Sequence, residues 1–505
     1  MSVIGHVDGE NAQGELVIPE TVTYTGFDYT VTEVGDHAFQ RCSGLTGTLT
    51  FPTTMRIIGV SAFAQCTGFT ELVLPEGLLE IREMAFRDCT GFTGTLDFPE
   101  TVTHIKYGSF NRCTGFSGDL VLPNSVREVG NTQNYNYFYG QGFISTFADC
   151  FDHLVLSQSL DTIGYGCFSN CERLTGHLVM PEGLKAIHNE AFYSCYGLTG
   201  LTLNDSLAHI GRMAFEGCGF TGTLAIPENV ELASFAFSQC NGIEALALPH
   251  HLSFVESGEL GYVFGYCRGL VTLDIPEGWT ETGDYTFTGC YNLQQVHLPE
   301  SLTTINTNTF SDCTRLEEIN IPEGVTEIGD AAFMSCDSLT NVELPSGLLR
   351  LGGGAFSHCS HLAGDFIVPD LVERIESNTF HSCANLNRIV LGNSVNYVFD
   401  DAFANTQLEA LVLKPMTPPE LERNPYNPVW IIPADQLIIV PCGTLEAYQN
   451  SESWAGFTNI EEDCGSGLIE FHGSEWYYEI VDEYGNVTYQ HLEYVADTIV
   501  NNKDV

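Results

Sequence analysis

The chain has 505 residues and a formal net charge of −47, from 18 basic and 65 acidic residues. This charge effectively excludes nucleic-acid binding, because affinity for a phosphate backbone depends on clustered Lys and Arg, and it excludes adhesion to anionic lipid for the same reason. Apolar residues make up 44% of the chain, which is enough for a core, so the acidity belongs to a folded surface.

The chain shows no export or membrane signal. No run approaches the roughly 20 apolar residues of a membrane span, so we expect no membrane insertion by this chain. The first ten residues, MSVIGHVDGE, lack the basic and apolar regions of a secretory signal. If the protein is exported, this is a mature or excised chain.

Sixteen phenylalanines share one frame, mostly 23 or 24 residues apart, and a cysteine follows three residues after each of them except the last. They are Phe39, Phe63, Phe86, Phe110, Phe147, Phe168, Phe192, Phe215, Phe237, Phe264, Phe287, Phe310, Phe333, Phe356, Phe380 and Phe403. A period of 20 to 29 residues with recurring Leu, Val and Ile is typical of a leucine-rich solenoid. Because one unit cannot bury its apolar side alone, we expect the units to stack and these phenylalanines to be buried against one another.

Each unit predicts three short elements in chain order. In residues 320–344, the sequence VTEIG (325–329) predicts a short extended piece that turns at a glycine. The sequence DAAFMSC (330–336) predicts one helix-like turn, with Phe333 and Cys336 on one face. Alternating apolar residues from Leu339 to Leu344 predict a strand that ends at Pro345, since proline cannot donate to the ladder.

The recurring pattern x-IP-E-x-V-T-x-I-G-x-x-A-F-x-x-C-x-x-L resembles the BspA-type leucine-rich repeat of bacterial surface proteins. The resemblance implies a repeat solenoid: a right-handed leucine-rich-repeat fold of about sixteen 23-residue rungs, with short parallel strands and helical or 3₁₀ turns. We assign residues 1–30 to an N-terminal capping segment, 31–413 to the repeats, and 414–464 to a C-terminal capping unit. Residues 465–505 have no repeat frame and predict a Tyr-rich β-hairpin tail, or the start of a further domain that is cut away here.

The cysteines of the frame predict a ladder of free thiols. Successive rungs place them side by side at about 4.8 Å, beyond the roughly 3.8 Å between Cβ atoms that a disulfide prefers. A line of cysteines also cannot converge on one metal ion, as a zinc site requires. Cys442 and Cys464 are the one pair that we consider for a disulfide, with free thiols as the alternative.

Two groups of residues are candidate binding sites. The outward positions of four adjacent strands are polar in an otherwise largely apolar column, and alternation points these side chains to solvent. They are Thr272, Asp274, Gln295, His297, Glu318, Asn320, Asn341 and Glu343. The second group, Tyr135, Tyr137 and Tyr139, lies in an insertion rich in Asn, Gly and Tyr, a composition typical of binding loops. The alternatives are an ordinary solvated strand face and a packing lid or tolerated insertion.

The sequence contains no motif for catalysis, for a cofactor or for a metal site. We therefore predict a non-enzymatic binding protein that has no cofactor or metal and recognises its ligand through the solenoid surface. The resemblance implies an extracellular adhesion protein of a bacterial cell surface, here expected to be a monomer. Its partner would be a host extracellular protein, a glycan or another bacterial surface protein. The alternatives are a structural spacer that holds another domain away from the cell, and a polysaccharide-active enzyme, which would need a carboxylate pair within about 10 Å in a cleft.

Overall fold

The computed structural model describes residues 2–3, 12–130, 145–147, 149–254, 261–422 and 432–464, together with the backbone of the strands between 470 and 501. These residues form a parallel solenoid in which each rung contributes two short strands and a turn segment. In one rung the strands are Glu318–Ile319 and Glu327–Ile328, and the turn segment is 330–336. Equivalent strands of successive rungs pair in parallel, as Thr304 with Glu327 and Glu327 with Arg350.

The strands fall into two columns. The first column contains Gln13–Glu15, Gly44–Thr50, Phe69–Val73, Leu120–Val121, Leu154–Val155, Gly176–Val179, Leu198–Thr202, Thr221–Ala225, Gly242–Ala247, Thr272–Asp274, Gln295–His297, Glu318–Ile319, Gly364–Ile367, Leu386–Leu391, Ala410–Leu413, Ile438–Pro441 and Ile460–Asp463. The second column contains Ser2–Val3, Glu33–Val34, Ile57–Ile58, Glu80–Ile81, His104–Ile105, Glu128–Val129, Thr162–Ile163, Ala186–Ile187, His209–Ile210, Glu231–Leu232, Ser253–Phe254, Thr304–Ile305, Glu327–Ile328, Arg350–Leu351, Arg374–Ile375, Tyr397–Phe399 and Glu420–Glu422.

The turn segment differs from a continuous helical turn. The amides of residues 332, 334 and 336 donate to carbonyl oxygens three residues earlier, as in a 3₁₀ turn, whereas those of 331, 333 and 335 donate to carbonyl oxygens of the next rung at 2.7 to 2.9 Å. This alternation requires left-handed backbone at Ala331 and Ser335, with φ of 53° and 59°. The turn segments therefore make a third hydrogen-bonded column along the stack.

The phenylalanine frame forms the centre of the core, which confirms the sequence prediction. All fifteen consecutive pairs from Phe39 to Phe403 are stacked, with ring centroids 5.0 to 6.2 Å apart. Phe333 is fully buried between Phe310 and Phe356. Phe39, at the end of the stack, is only half-buried. Stacked aromatic rings contribute about 0.5 to 1.5 kcal/mol a pair beyond the burial of their apolar area.

The cysteines that follow these phenylalanines are buried and form no disulfide, as predicted, and the same holds for Cys167. In most rungs the thiol donates a hydrogen bond to the carbonyl oxygen of the phenylalanine one rung earlier. Cys89 donates to Phe63 at 3.0 Å and Cys359 to Phe333 at 3.1 Å. Free cysteine thus fills a small buried space and also ties neighbouring rungs.

Acidic side chains in the exposed turns also connect rungs. Glu277 accepts hydrogen bonds from the backbone amides of Glu300 and Ser301, at 3.0 and 3.2 Å, and the first of these lowers the pKa of Glu277. Asp330 accepts in the same way from the amide of Gly353, at 3.0 Å. Some of the acidic side chains of the chain therefore stabilise the stack by accepting hydrogen bonds from backbone amides of the next rung.

The N-terminal end of the solenoid carries an antiparallel hairpin, Thr21–Tyr24 with Phe27–Thr30. The C-terminal end closes with the single α-helix of the described residues, Leu445–Asn450. Tyr448 and Trp454 are fully buried there, and their side chains donate to the carbonyl oxygens of Pro415 and Pro419 at 2.8 and 2.7 Å. Among the described residues, no helix is long and apolar enough to cross a membrane.

The described residues of the tail form four antiparallel strands. They are Glu470–His472, Glu475–Val481, Val487–Val495 and Thr498–Asn501, each paired with the next along the chain. The two central strands lie where the sequence places its Tyr-rich hairpin. The domain boundaries themselves stay predictions.

Candidate functional site

The eight polar residues predicted on the first strand column lie together on four adjacent rungs, and we call them the strand-face patch. They form two columns, Thr272–Gln295–Glu318–Asn341 and Asp274–His297–Asn320–Glu343. Strand pairing sets Thr272 beside Gln295 and continues to Glu318 and Asn341. All eight residues are exposed, whereas Leu273 between the two columns is buried. The alternation that predicted the patch is therefore present in the structure.

One pair within the patch is in contact. His297 Nδ1 lies 2.6 Å from Asp274 Oδ1, with both side chains well exposed to solvent. A hydrogen-bonded pair at such an exposed site contributes at most about 1 kcal/mol to stability, even when both groups are charged. Within the described part of the chain, the side chains of Gln295, Glu318 and Glu343 have no hydrogen-bond partner, so they are available to a ligand.

The rest of this outward column is largely apolar, with Thr50, Asp97 and Thr202 as polar exceptions, and most of it also faces solvent. Val73, Val121, Val155 and Val179 are between 47% and 58% exposed. These four valines therefore do not pack against neighbouring parts of the sheet. Only towards the C-terminal end does the column turn inward, where Val412 is buried in the fully buried strand Ala410–Leu413.

Comparison with known families identifies the repeat. A family model described as the BspA type leucine rich repeat region, with 6 copies, matches residues 20–140, 144–259, 260–363 and 317–418. Together these matches cover most of the chain. The chain belongs to the BspA-type leucine-rich repeat family.

Solved structures are similar to this BspA-type chain. A leucine-rich repeat protein from Bacteroides ovatus is 28% identical, with a TM-score of 0.60 over 70% of this chain and 87% of that one. A leucine-rich cell surface protein from Faecalibacterium prausnitzii is 21% identical over 79% of this chain and 88% of that one, with a TM-score of 0.35. The B. ovatus structure supports the repeat-solenoid fold. A search of curated proteins found no match.

The second predicted group, Tyr135, Tyr137 and Tyr139, lies outside the described residues. Its role as a binding loop stays a prediction, as do the alternatives of a packing lid and a tolerated insertion.

The closing unit of this BspA-type chain holds the one cluster of potential metal ligands among the described residues. Cys442, Glu462 and Cys464 place their ligand atoms within 4.8 Å of one another. The two cysteines form a disulfide, with Cα atoms 4.6 Å apart, which decides between the two alternatives left open by the sequence. Because both sulfurs are bonded to each other, neither is a thiolate ligand.

The turn segments carry a feature that the sequence prediction missed. Two open notches lie side by side near Glu216, lined by residues from the rungs of Phe192 to Phe264. One signal was present in the sequence: Phe215 and Phe237 are only 22 residues apart, one fewer than the regular period. A shortened rung removes an outward side chain and leaves a gap in the surface.

Proposed function

We propose that this BspA-type protein is a non-enzymatic binding protein on the outside of a bacterial cell. It recognises a host extracellular protein or glycan, or another bacterial surface protein, through the strand-face patch, and it needs neither cofactor nor metal. The observation that carries this proposal is the array of eight exposed hydrogen-bonding side chains on four adjacent rungs. With rungs about 4.8 Å apart, such an array fits an extended chain laid along the stack.

The distribution of the patch favours binding over the alternative of a structural spacer. A spacer requires no particular chemistry at any outward position, whereas this column is apolar at Val121, Val155 and Val179 and polar at all four rungs from Asp274 to Glu343. Polar side chains concentrated on a few adjacent rungs can make several hydrogen bonds to one ligand, and placed polar groups of this kind fix a ligand's orientation.

The disulfide between Cys442 and Cys464 supports a place outside the cell. Disulfides persist in oxidising compartments and are rare in the reducing cytosol. The ladder cysteines, which form no disulfide, are consistent with the same environment, since all of them are buried and burial protects thiols from oxidation. We expect the protein to act there as a monomer.

Binding arrays of host matrix proteins and mucosal glycans test the proposal. The double variant His297→Ala and Glu343→Ala should abolish binding to the ligand found, because it removes two exposed polar groups from one column of the patch. Stability should be unchanged, since neither side chain is buried. The matched control is Thr50→Ala with Asp97→Ala, in the same exposed column outside the patch. Unaltered affinity in the first double variant would leave the patch as ordinary surface.

A further inference from the structure

The two notches on the turn segments form a second surface, which shares no residue with the strand-face patch. The first has a volume of about 250 Å³ and is lined by Tyr193, Tyr196, Glu216, Gln239 and Asn241, among others. The second, about 270 Å³, is lined by Gln239, Asn241, Tyr266 and Arg268. Gln239 and Asn241 therefore form a ridge between two adjoining notches. We call this surface the turn-face groove.

The first notch exists because one rung lacks two outward side chains. In the rungs on either side, Tyr196 or Asn241 stands between the ladder cysteine and a glycine, but Cys218 is followed at once by that glycine, Gly219, so the outward residue is missing. That glycine cannot be replaced easily, because a Cβ atom there would lie 2.0 Å from the carbonyl oxygen of Tyr196. The neighbouring left-handed position is Gly217, with φ of 72°, which also has no side chain.

Glu216 lies at this notch with an unsatisfied carboxyl oxygen. The residue is 8% exposed. Its Oε1 atom accepts a hydrogen bond from Gln239 Nε2 at 2.7 Å, while its Oε2 atom is buried without a partner in the described part of the chain. Burial raises the pKa of this carboxyl group. A buried carboxyl oxygen without a hydrogen bond is costly, and a donor from a ligand would remove that cost.

Aromatic residues occupy strained backbone positions beside the groove. Phe235, Tyr262 and Tyr285 have φ of 61°, 50° and 56° and stack in one column, with centroids 5.0 and 4.6 Å apart. The same left-handed position holds Gly or Asn in some rungs and larger side chains in others, among them Gly108, Asn308, Met84, Glu190 and Met213. Left-handed backbone costs a non-glycine residue roughly 1 to 2 kcal/mol. Because left-handed backbone recurs in the turn segments of the solenoid, what distinguishes these rungs is the column of stacked aromatic rings beside the groove.

Two further tyrosines place ring surface at the groove itself. Tyr196 is 57% exposed, and its hydroxyl group donates to Ser194 Oγ at 3.2 Å, which fixes the ring at one wall of the first notch. Tyr266 has φ of 60° and its ring lies over Gly289, where a Cβ atom would come within 2.4 Å of it. The one cation of the second notch, Arg268, is held over the ring of Tyr291 at 5.3 Å.

We propose that the turn-face groove binds a neutral glycan chain, with sugar hydroxyl groups donating to Glu216 Oε2 and exchanging hydrogen bonds with Gln239 and Asn241. The apolar faces of the sugar rings pack on Tyr196 and Tyr266. Aromatic walls with a few placed polar groups are the usual composition of a small-molecule site. Each notch is slightly smaller than the roughly 300 to 1,000 Å³ of a complete ligand pocket, so each fits one residue of a polymer. The net charge of −47 disfavours an anionic glycan.

An array of neutral oligosaccharides, followed by titration calorimetry with the best binder, tests this site. Gly217→Gln fills the notch with the residue that the next rung already carries at the equivalent left-handed position, Gln239. We expect Gly217→Gln and Tyr196→Ala each to weaken binding by about tenfold or more. Ser335→Gln is the matched control, because Ser335 has φ of 59° in the same column, far from the groove, and it should bind like the unmodified protein.

Thermal melting of each variant separates loss of the site from loss of the fold. The double variant His297→Ala and Glu343→Ala should keep the neutral oligosaccharide, so failure of the strand-face patch and failure of the groove give different results. The proposal is overturned if no neutral oligosaccharide binds at about 1 mM. It is also overturned if folded Gly217→Gln binds as tightly as the unmodified protein, or if only anionic glycans or basic peptides bind.

Discussion

The thiol of Cys336 donates a hydrogen bond to the carbonyl oxygen of Phe310, in the preceding rung, with 3.3 Å between sulfur and oxygen. The same bond recurs along the ladder, for example from Cys195 to Phe168 at 3.1 Å and from Cys383 to Phe356 at 3.0 Å. It explains why a cysteine suits this position better than alanine, which is similarly small but has no donor. Where Thr406 replaces the cysteine, its hydroxyl group donates instead to Phe403 in its own rung, at 2.6 Å.

The ladder predicts a steep loss of stability in alkali. Burial raises the pKa of Cys240, Cys290 and Cys383 from 9.0 to about 12. The unfolded chain therefore loses thiol protons above pH 9 while the folded chain keeps them, so this stabilisation is complete below pH 9 and falls as the pH rises. Each thiol lowers the free energy of unfolding by up to about 1.4 kcal/mol per pH unit. Urea unfolding measured from pH 7 to 11 checks this.

The variant Cys336→Thr is the control for that experiment. It removes one titrating thiol but keeps a side chain that the solenoid accepts at residue 406. Its unfolding free energy should depend less steeply on pH than that of the unmodified protein. Equal urea midpoints at pH 8 and pH 11 for the unmodified protein would contradict the predicted loss of stability in alkali.

Thiol counting gives a second prediction. Sixteen cysteines are buried and form no disulfide, so a thiol reagent at pH 8 should react with almost none of them in the native protein. All sixteen should react in denaturant without reductant, because their stacked geometry opposes pairing. Fewer than fifteen in freshly prepared protein, with oxidation during handling excluded, would show that ladder cysteines form disulfides.

Truncation of the phenylalanine stack should be strongly destabilising. Phe333→Ala should cost about 3 to 5 kcal/mol, since it opens a cavity in a fully packed core and removes two stacked contacts, with Phe310 and Phe356. Phe39→Ala is the matched comparison, because Phe39 is half-buried and stacks only on Phe63 in its column. Denaturant unfolding should show a clearly smaller loss for Phe39→Ala, and equal losses would argue against stacking as the cause.

Removal of the C-terminal disulfide should destabilise the closing unit. Cys442 and Cys464 are 22 residues apart, and a cross-link closing a loop of this size contributes about 3 kcal/mol in the chain-entropy description. Cys442→Ser with Cys464→Ser should lower the melting temperature. Reductant should lower the melting temperature of the unmodified protein to the same value and leave the double variant unchanged. A reductant effect that persists in the double variant would point to another cross-link.

The sequence predicts the stack and the ladder well because both repeat in register. A single side chain such as Phe333 says little, but sixteen in one frame leave few other arrangements for a chain that must bury them. The outward patch follows from the same register, since alternation alone decides that Asp274 and His297 point to solvent. The register does not say what these side chains bind.

The turn segments were less predictable. A continuous helical turn and the observed turn segment give Phe333 and Cys336 the same spacing. Only the hydrogen bonds from one rung to the next distinguish the two conformations. The turn-face groove depends on an irregularity, the short rung after Phe215, and on left-handed backbone at aromatic residues such as Tyr262. Neither the depth of the gap nor the burial of Glu216 can be derived from spacing.

The three hydrogen-bonded columns all join one rung to the next, so their bonds point along the stack. A force that pulls the two ends of the stack apart therefore acts along these hydrogen bonds. It breaks the bonds of a terminal rung first, one after another, before those of the rungs behind it. Under flow or shear we expect rungs to peel away one at a time, each releasing 23 residues, or about 80 Å of extended chain. Detachment from the C-terminal end begins at the disulfide-closed unit, which tension cannot unravel between Cys442 and Cys464. Such a chain would dissipate mechanical work in many small steps.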